Sequence, residues 1–336
     1  MKALVCTTPR QFDYINTEMP VTAEGETLLK IERIGICGTD LHAFEGTQPY
    51  FNYPRILGHE LAATIVETKA DGFTACDKVT IIPYMHCGNC IACNSRKNNC
   101  CVNMRVFGVH IDGGMREFVT VPNHALLKSE GLSLDELALV EPFAIGAHAV
   151  KRAAVTNGEF VLVIGAGPIG LGIAQFARIT GAHVIVVDVN EDRLQFCTTQ
   201  IGVEHIINPL NQDVMESLKQ ITSNNMPTVI LDATGNLDAI NNAFQYLAHG
   251  GRYVLVGLQK EHISFSHPEF HKREATLMSS RNANVSDFKH VMESIKNGLV
   301  QPTNYITHKV AFSEVATQFE SWLNPNSKVI KAVVVF

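Results

Sequence analysis

Two sets of side chains in this 336-residue chain have the types and spacing to hold metal ions. Cys87, Cys90 and Cys93 follow a C-x2-C-x2-C pattern, and Cys101 comes eight residues later. Four thiolates close a tetrahedron around Zn2+ and leave no open position, so a metal there would be structural. Cys100 adjoins Cys101; the spacing favours Cys101 as fourth ligand and leaves Cys100 as the alternative. The competing reading is a set of free surface thiols. A second set is dispersed: Cys37, His59 and Glu141, with Glu60 beside His59. A thiolate, an imidazole and a carboxylate from distant segments can bind zinc and keep one position open for substrate. Taken singly, each reads as a core cysteine, a satisfied histidine or a helix-stabilising acid.

A third stretch carries different chemistry. Val161 to Asp188 reads VLVIGAGPIGLGIAQFARITGAHVIVVD, an apolar run, a glycine turn, a helical pattern and a second apolar run. Gly165, Gly167 and Gly170 are spaced G-x-G-x-x-G in the strand–turn–helix–strand setting that gives the pattern meaning. Gly165 permits the tight turn, Gly167 lets a pyrophosphate approach the backbone, and Gly170 allows close helix–strand packing. Pro168 and Ile169 open a helix whose free N–H groups and positive end suit phosphates. Asp188 would accept hydrogen bonds from both ribose hydroxyls and repel a 2′-phosphate, so NAD is expected rather than NADP. Arg193 falls near the adenosine end, either as a cofactor contact or as a solvated charge. Thr234, and the loop Val256-Gly257-Leu258 after a further buried strand, are expected to line the same site.

The elements that must position these groups divide the chain. Before Ser133 there is no long helical pattern, and MKALVC and TLLKIERIGI read as strands, which predicts a β-rich domain. From about residue 148 strands and helices alternate, the signature of a doubly wound parallel sheet. The expected fold is therefore α/β in two domains, a cofactor domain over 148–278 and a discontinuous catalytic domain over 1–147 plus 279–336. The apolar content of 46% and charged content of 18% belong to a globular chain with ample core. A net charge of −6 offers no footprint for nucleic acid or an anionic membrane. No apolar run reaches the ~20 residues of a membrane helix. Five cysteines crowded at metal spacing, rather than spread as a disulfide framework, suit a reducing cytoplasmic setting.

Together, CGTDLH at 37–42, GHE at 58–60, the CGNCIAC lobe, Gly113-Gly114 and the glycine fingerprint resemble the zinc-dependent medium-chain dehydrogenases over the whole chain. That resemblance implies a GroES-like catalytic domain with a Rossmann domain, NAD, two zinc ions per chain, and a homodimer or homotetramer. It implies that Cys37, His59 and Glu141 bind the catalytic zinc, with Glu60 as a fourth ligand or just outside. Thr39 would pass a proton toward the cofactor ribose, His42 would carry it to solvent, and Asp40 would hydrogen-bond His59. The Glu141-Pro-Phe-Ala context resembles the polyol and sugar-acid branch. YPRILGHE, GVHIDGG and EPFAIGAHAV resemble bacterial hexonate dehydrogenases acting at C5 of L-galactonate or L-gulonate. Arg281 and Asn282, with Tyr50 or Lys309, are the candidates to meet the sugar acid's far end.

Two rival readings keep part of this account. A neutral polyol or sugar-phosphate dehydrogenase shares the chemistry and changes the substrate; a neutral polyol would have no use for the Arg281 guanidinium. A non-catalytic NAD-binding protein would not need Cys37, His59, Glu141, Thr39 and His42 together, and all five are present.

Overall fold

A computed structural model describes residues 1–49 and 51–336; Tyr50 lies outside the described residues. The chain forms two compact units, residues 1–141 with 284–336, and residues 142–283. Sequence reading puts the breaks at 147/148 and 278/279. The first falls earlier because Glu141 belongs with the first unit although the helix Val140–Arg152 continues past it. The second falls later because Thr276–Ser279 is the last parallel strand of the cofactor sheet.

In the first unit the long strand Glu26–Gly35 organises a seven-stranded sheet. Its partners are Glu60–Glu67, Phe118–Pro122 and the C-terminal strand Lys331–Val335. Leu29, Ile31 and Ile34 are buried with Leu61, Ile65 and Ile81 from neighbouring strands, and this apolar cluster forms the unit's core. The register matters for chemistry, since Gly35 stands opposite Glu60 on one side and Val333 on the other. Residues nearly 300 positions apart therefore meet at one end of the strand. A two-stranded ladder, Tyr84–Met85 with Arg105–Val106, closes the base of the cysteine segment.

The second unit is a six-stranded sheet with all neighbours parallel. Its spatial order runs from His205–Ile207 through His183–Val187, Phe160–Ile164, Val229–Asp232 and Arg252–Leu255 to Thr276–Ser279. The first strand in sequence lies in the middle, and the order reverses direction beside it. Such a switch point leaves a crevice at the strands' carboxyl ends. The strands read as continuous apolar runs because both faces are covered. Leu162, Ile185, Ile230 and Tyr253 are fully buried. Among the described residues no helix is long and apolar enough to cross a membrane.

Candidate functional site

The segment after Gly35 is a helix, Gly38–Glu45. Its start is fixed locally: the Cys37 N–H donates to Asp40 Oδ2 at 3.0 Å, closing a capping box. Cys37 is thereby held at the helix N-cap. Asp40 is buried and its other oxygen accepts the Gly58 N–H at 3.1 Å, which ties the next segment to the same point. Gly58 has φ +92° and lies within a nest of glycines. A Cβ on Gly113 would come within 2.3 Å of the Gly58 carbonyl oxygen, so the Gly113 position must stay bare. His59 follows, buried, and the chain enters the strand that begins at Glu60.

The result is one compact donor group. Cys37 Sγ, a His59 ring nitrogen and a Glu60 carboxylate oxygen lie within 4.8 Å of one another. Glu141, in the first turn of Val140–Arg152, stands beside this group and outside its tightest trio. Asp40 Oδ1 is 3.6 Å from His59 Nδ1, an ion-pair separation and longer than the hydrogen bond expected. His59 Nδ1 makes no hydrogen bond although it is buried. Burial opposes a charge on His59, but Asp40, Cys37 and Glu141 outweigh it and raise its pKa well above the usual imidazole value.

Sequence reasoning missed two further residues. Lys331, 3% exposed, donates from Nζ to both Glu60 oxygens at 2.7 and 2.8 Å and to the Ile36 carbonyl at 3.0 Å. The Tyr84 hydroxyl donates to Glu141 Oε1. With Lys331 committed to Glu60, burial leaves Glu141 with its pKa raised to about 7, against the opposing pull of His59. The site thus gathers a thiol, an imidazole and more buried carboxylate than its one lysine neutralises. That surplus, with thiolate, imidazole and carboxylate donors, suits a divalent zinc ion.

The four-cysteine group is equally specific. Cys87, Cys90, Cys93 and Cys101 all lie within 4.8 Å of one another. Sulfur–sulfur separations are 3.5 Å for Cys87–Cys101, 3.5 Å for Cys90–Cys93 and 3.9 Å for Cys90–Cys101. A tetrahedron with metal–sulfur bonds of ~2.3 Å has an edge of about 3.8 Å. The Cys93 and Val102 backbone N–H groups favour the Cys90 thiolate and bring its pKa down to about 6. Cys100 is exposed and outside the group.

In the second unit the glycine turn is built as the spacing requires. Gly165 has φ +94°, and a Cβ on Gly170 would come within 1.7 Å of the Gly165 carbonyl oxygen. Gly167, the N-cap of the helix Pro168–Ile179, differs: a Cβ there would meet nothing within 4 Å. The open space above Gly167 and the helix start fit a bound pyrophosphate. Asp188 ends the strand His183–Val187; its two oxygens accept the Ala166 N–H at 2.5 Å and the Asn190 N–H at 2.7 Å. It braces the turn from both sides.

Nearby, the Thr234 N–H and hydroxyl both donate to buried Asp232, and a Cβ on Gly257 would strike the Gly235 nitrogen at 2.3 Å. Val256 and Gly257 are half-buried, whereas Leu258 is 62% exposed. Arg193 is half-buried on the helix Glu191–Phe196, where its N–H donates to the Asn190 side chain. Arg281 and Asn282 follow the last strand of this sheet, Arg281 exposed and Asn282 in the left-handed region at φ +53°. Lys309, in the first unit, pairs with Asp135.

Two family models match the chain, one in each unit for the greater part. The alcohol dehydrogenase GroES-like domain model matches residues 23–131, and the zinc-binding dehydrogenase model matches residues 168–297. L-Galactonate-5-dehydrogenase of Escherichia coli K12 is 41% identical over 339 aligned positions, covering 100% of this chain and 99% of that protein. The chain belongs to the zinc-binding alcohol dehydrogenases. Within that family, sorbitol dehydrogenase of Bacillus subtilis is 30% identical, with 99% and 97% of the two chains covered. The structure of RspB from Escherichia coli CFT073, solved with NADH, superposes with a TM-score of 0.93 at 30% identity and covers 100% of this chain and 99% of that one. This zinc-binding dehydrogenase is thus an oxidoreductase of the medium-chain type, with GroES-like and Rossmann domains.

Proposed function

We propose that this dehydrogenase oxidises a secondary alcohol of a hexonic acid to a ketone with NAD, with L-galactonate or L-gulonate, oxidised at C5, as the substrate. The 41% identity to L-galactonate-5-dehydrogenase along the whole chain is the observation that carries the substrate. The overall change is carbinol plus NAD+ to ketone plus NADH and one proton. Cys37, His59 and Glu141 hold the catalytic zinc, Glu60 lies beside it on Lys331, and Cys87, Cys90, Cys93 and Cys101 hold the structural one. Zinc at the first site supplies Lewis acidity to the substrate oxygen.

The chain's own residues do the rest. Thr39 and His42 are three apart on the helix Gly38–Glu45 and share its face. Thr39 is half-buried, while the His42 side chain is 62% exposed and faces Glu45 and Thr47. They form a graded path that takes the alcohol proton from the buried donor group to water. Gly165, Gly167, Pro168, Ile169 and Gly170 seat the NAD pyrophosphate. Asp188 reads the ribose, Thr234, Val256, Gly257 and Leu258 border the cofactor, and Arg193 covers its adenosine end. Arg281 and Asn282 recognise the substrate carboxylate, a group whose planar geometry suits a guanidinium fork.

The likeness to sorbitol dehydrogenase favours a second reading in which the substrate is a neutral polyol. Glu141→Ala tests the site shared by both readings. Turnover is expected to be lost with NADH binding retained, because ligand and cofactor groups belong to different units. Undiminished turnover would refute the assignment of Glu141.

A further inference from the structure

Tyr84 performs no step in the reaction proposed above, yet it is built into the metal site. It is 5% exposed and its hydroxyl donates to Glu141 Oε1. Its backbone belongs to the short strand Tyr84–Met85, paired with Arg105–Val106, where Tyr84 stands opposite Val106. Its ring packs edge-on against Phe288 with centroids 6.2 Å apart. Tyr84 therefore approaches Glu141 from a fixed direction, set by a strand pair and an aromatic contact. Glu141 has no comparable anchor from Lys331, whose Nζ is committed to the two Glu60 oxygens and the Ile36 carbonyl.

We propose that Tyr84 is a positioning residue for the catalytic metal: by occupying Oε1 it fixes the Glu141 carboxylate so that Oε2 is presented to the ion. Glu141 is then a one-oxygen ligand with a set rotamer, and the adjacent position stays open for substrate. A carboxylate without that bond can rotate or chelate through both oxygens, which fills the open position. Hydrogen-bond partners of metal ligands typically change metal affinity 10- to 100-fold. This inference rests on the assignment of Glu141 as a ligand.

The experiment uses the isolated holoenzyme and three proteins: the parent, Tyr84→Phe and Glu141→Ala. Zinc release is followed against rising concentrations of a chromogenic chelator, and the visible spectrum is recorded after cobalt exchange. Tyr84→Phe is expected to lose one metal per chain at about tenfold lower chelator concentration and to show a displaced cobalt spectrum. The second metal should be released as in the parent, with NADH affinity unchanged as the check on folding. A Tyr84→Phe release curve and cobalt spectrum identical to the parent's would overturn the positioning role. If Glu141→Ala also releases both metals as the parent does, the ligand assignment fails and takes this proposal with it. An altered Glu141→Ala beside an unaltered Tyr84→Phe would overturn the positioning role alone.

Discussion

Lys331 Nζ and the Glu60 carboxylate form a buried ion pair, 2.7 and 2.8 Å long, between side chains 3% and 0% exposed. The pairing depends on Gly35, where a Cβ would sit 2.0 Å from Glu60 Oε2. Burial works against the charge on Lys331, but Glu60 more than compensates and raises the lysine's pKa above its usual value. Breaking such a pair from one side leaves an uncompensated buried charge, at a cost of about 3–5 kcal/mol. Lys331→Met is therefore expected to lower unfolding free energy by that order, measured by urea titration. Adding Glu60→Gln should recover a large part of the loss. Two additive losses would show that the charges are not coupled.

Gly167 separates stability from cofactor binding. Its φ of −69° is ordinary for any residue, and its missing Cβ faces open space. Gly167→Ala is expected to fold with parent stability and to weaken NADH at least tenfold, read by fluorescence titration. A tenfold loss corresponds to about 1.4 kcal/mol, for one methyl group set in the space proposed for the pyrophosphate. An unchanged NADH affinity would place the phosphates elsewhere.

Asp188 braces the glycine turn, and the proposed ribose role adds a second effect that its substitution should show. Because it accepts the Ala166 and Asn190 N–H groups, Asp188→Ala loosens the turn as well as removing the ribose partner. NADH binding should weaken while NADPH binding weakens less or improves, so the ratio of their dissociation constants moves toward one. A ratio equal to the parent's would assign ribose reading to another residue.

Acid should remove one identifiable contribution to the second unit's stability. Burial pushes Glu159 up, but Arg252, the Thr156 N–H and hydroxyl and Thr228 outweigh it and hold the carboxyl below its ordinary value. A depressed carboxyl stabilises above its unfolded pKa of about 4.5, and that stability is lost as pH falls through the lower folded value. The pair is partly exposed, so its worth is discounted to about 1 kcal/mol. Glu159→Gln should thus be less stable than the parent at pH 7, and the gap should close toward pH 3. A gap constant across that range would mean that lost packing, not charge, is responsible.

What the sequence made readable follows from distance along the chain. The cysteine lobe and the glycine turn are local patterns whose spacing alone dictates geometry; Cys37 and His59 stand out because thiolate and imidazole are uncommon together, but the carboxylate drawn tightest to them is Glu60, where the sequence reading puts Glu141. The family resemblance gives Asp40 to His59, yet its carboxylate spends both oxygens on backbone N–H groups and reaches the imidazole only at 3.6 Å. The capping box that turns Cys37–Asp40 into a helix start departs from the usual Ser/Thr and Glu/Gln pattern, with Cys at the N-cap and Asp at N3. Lys331 and Tyr84 had no signal at all. They lie 271 and 57 residues from the carboxylates they hold, and only the tertiary fold brings them there. The Lys309–Asp135 pair is hidden for the same reason, its partners being 174 residues apart.

The most direct test of the central claim is NADH formation by the purified protein with NAD. L-Galactonate, L-gulonate, D-altronate, sorbitol, galactitol and L-threonine would be offered, each with and without a metal chelator. Turnover confined to L-galactonate or L-gulonate and abolished by the chelator is the predicted result. Turnover on sorbitol or galactitol in their place, or on hexonates unaffected by the chelator, would contradict it.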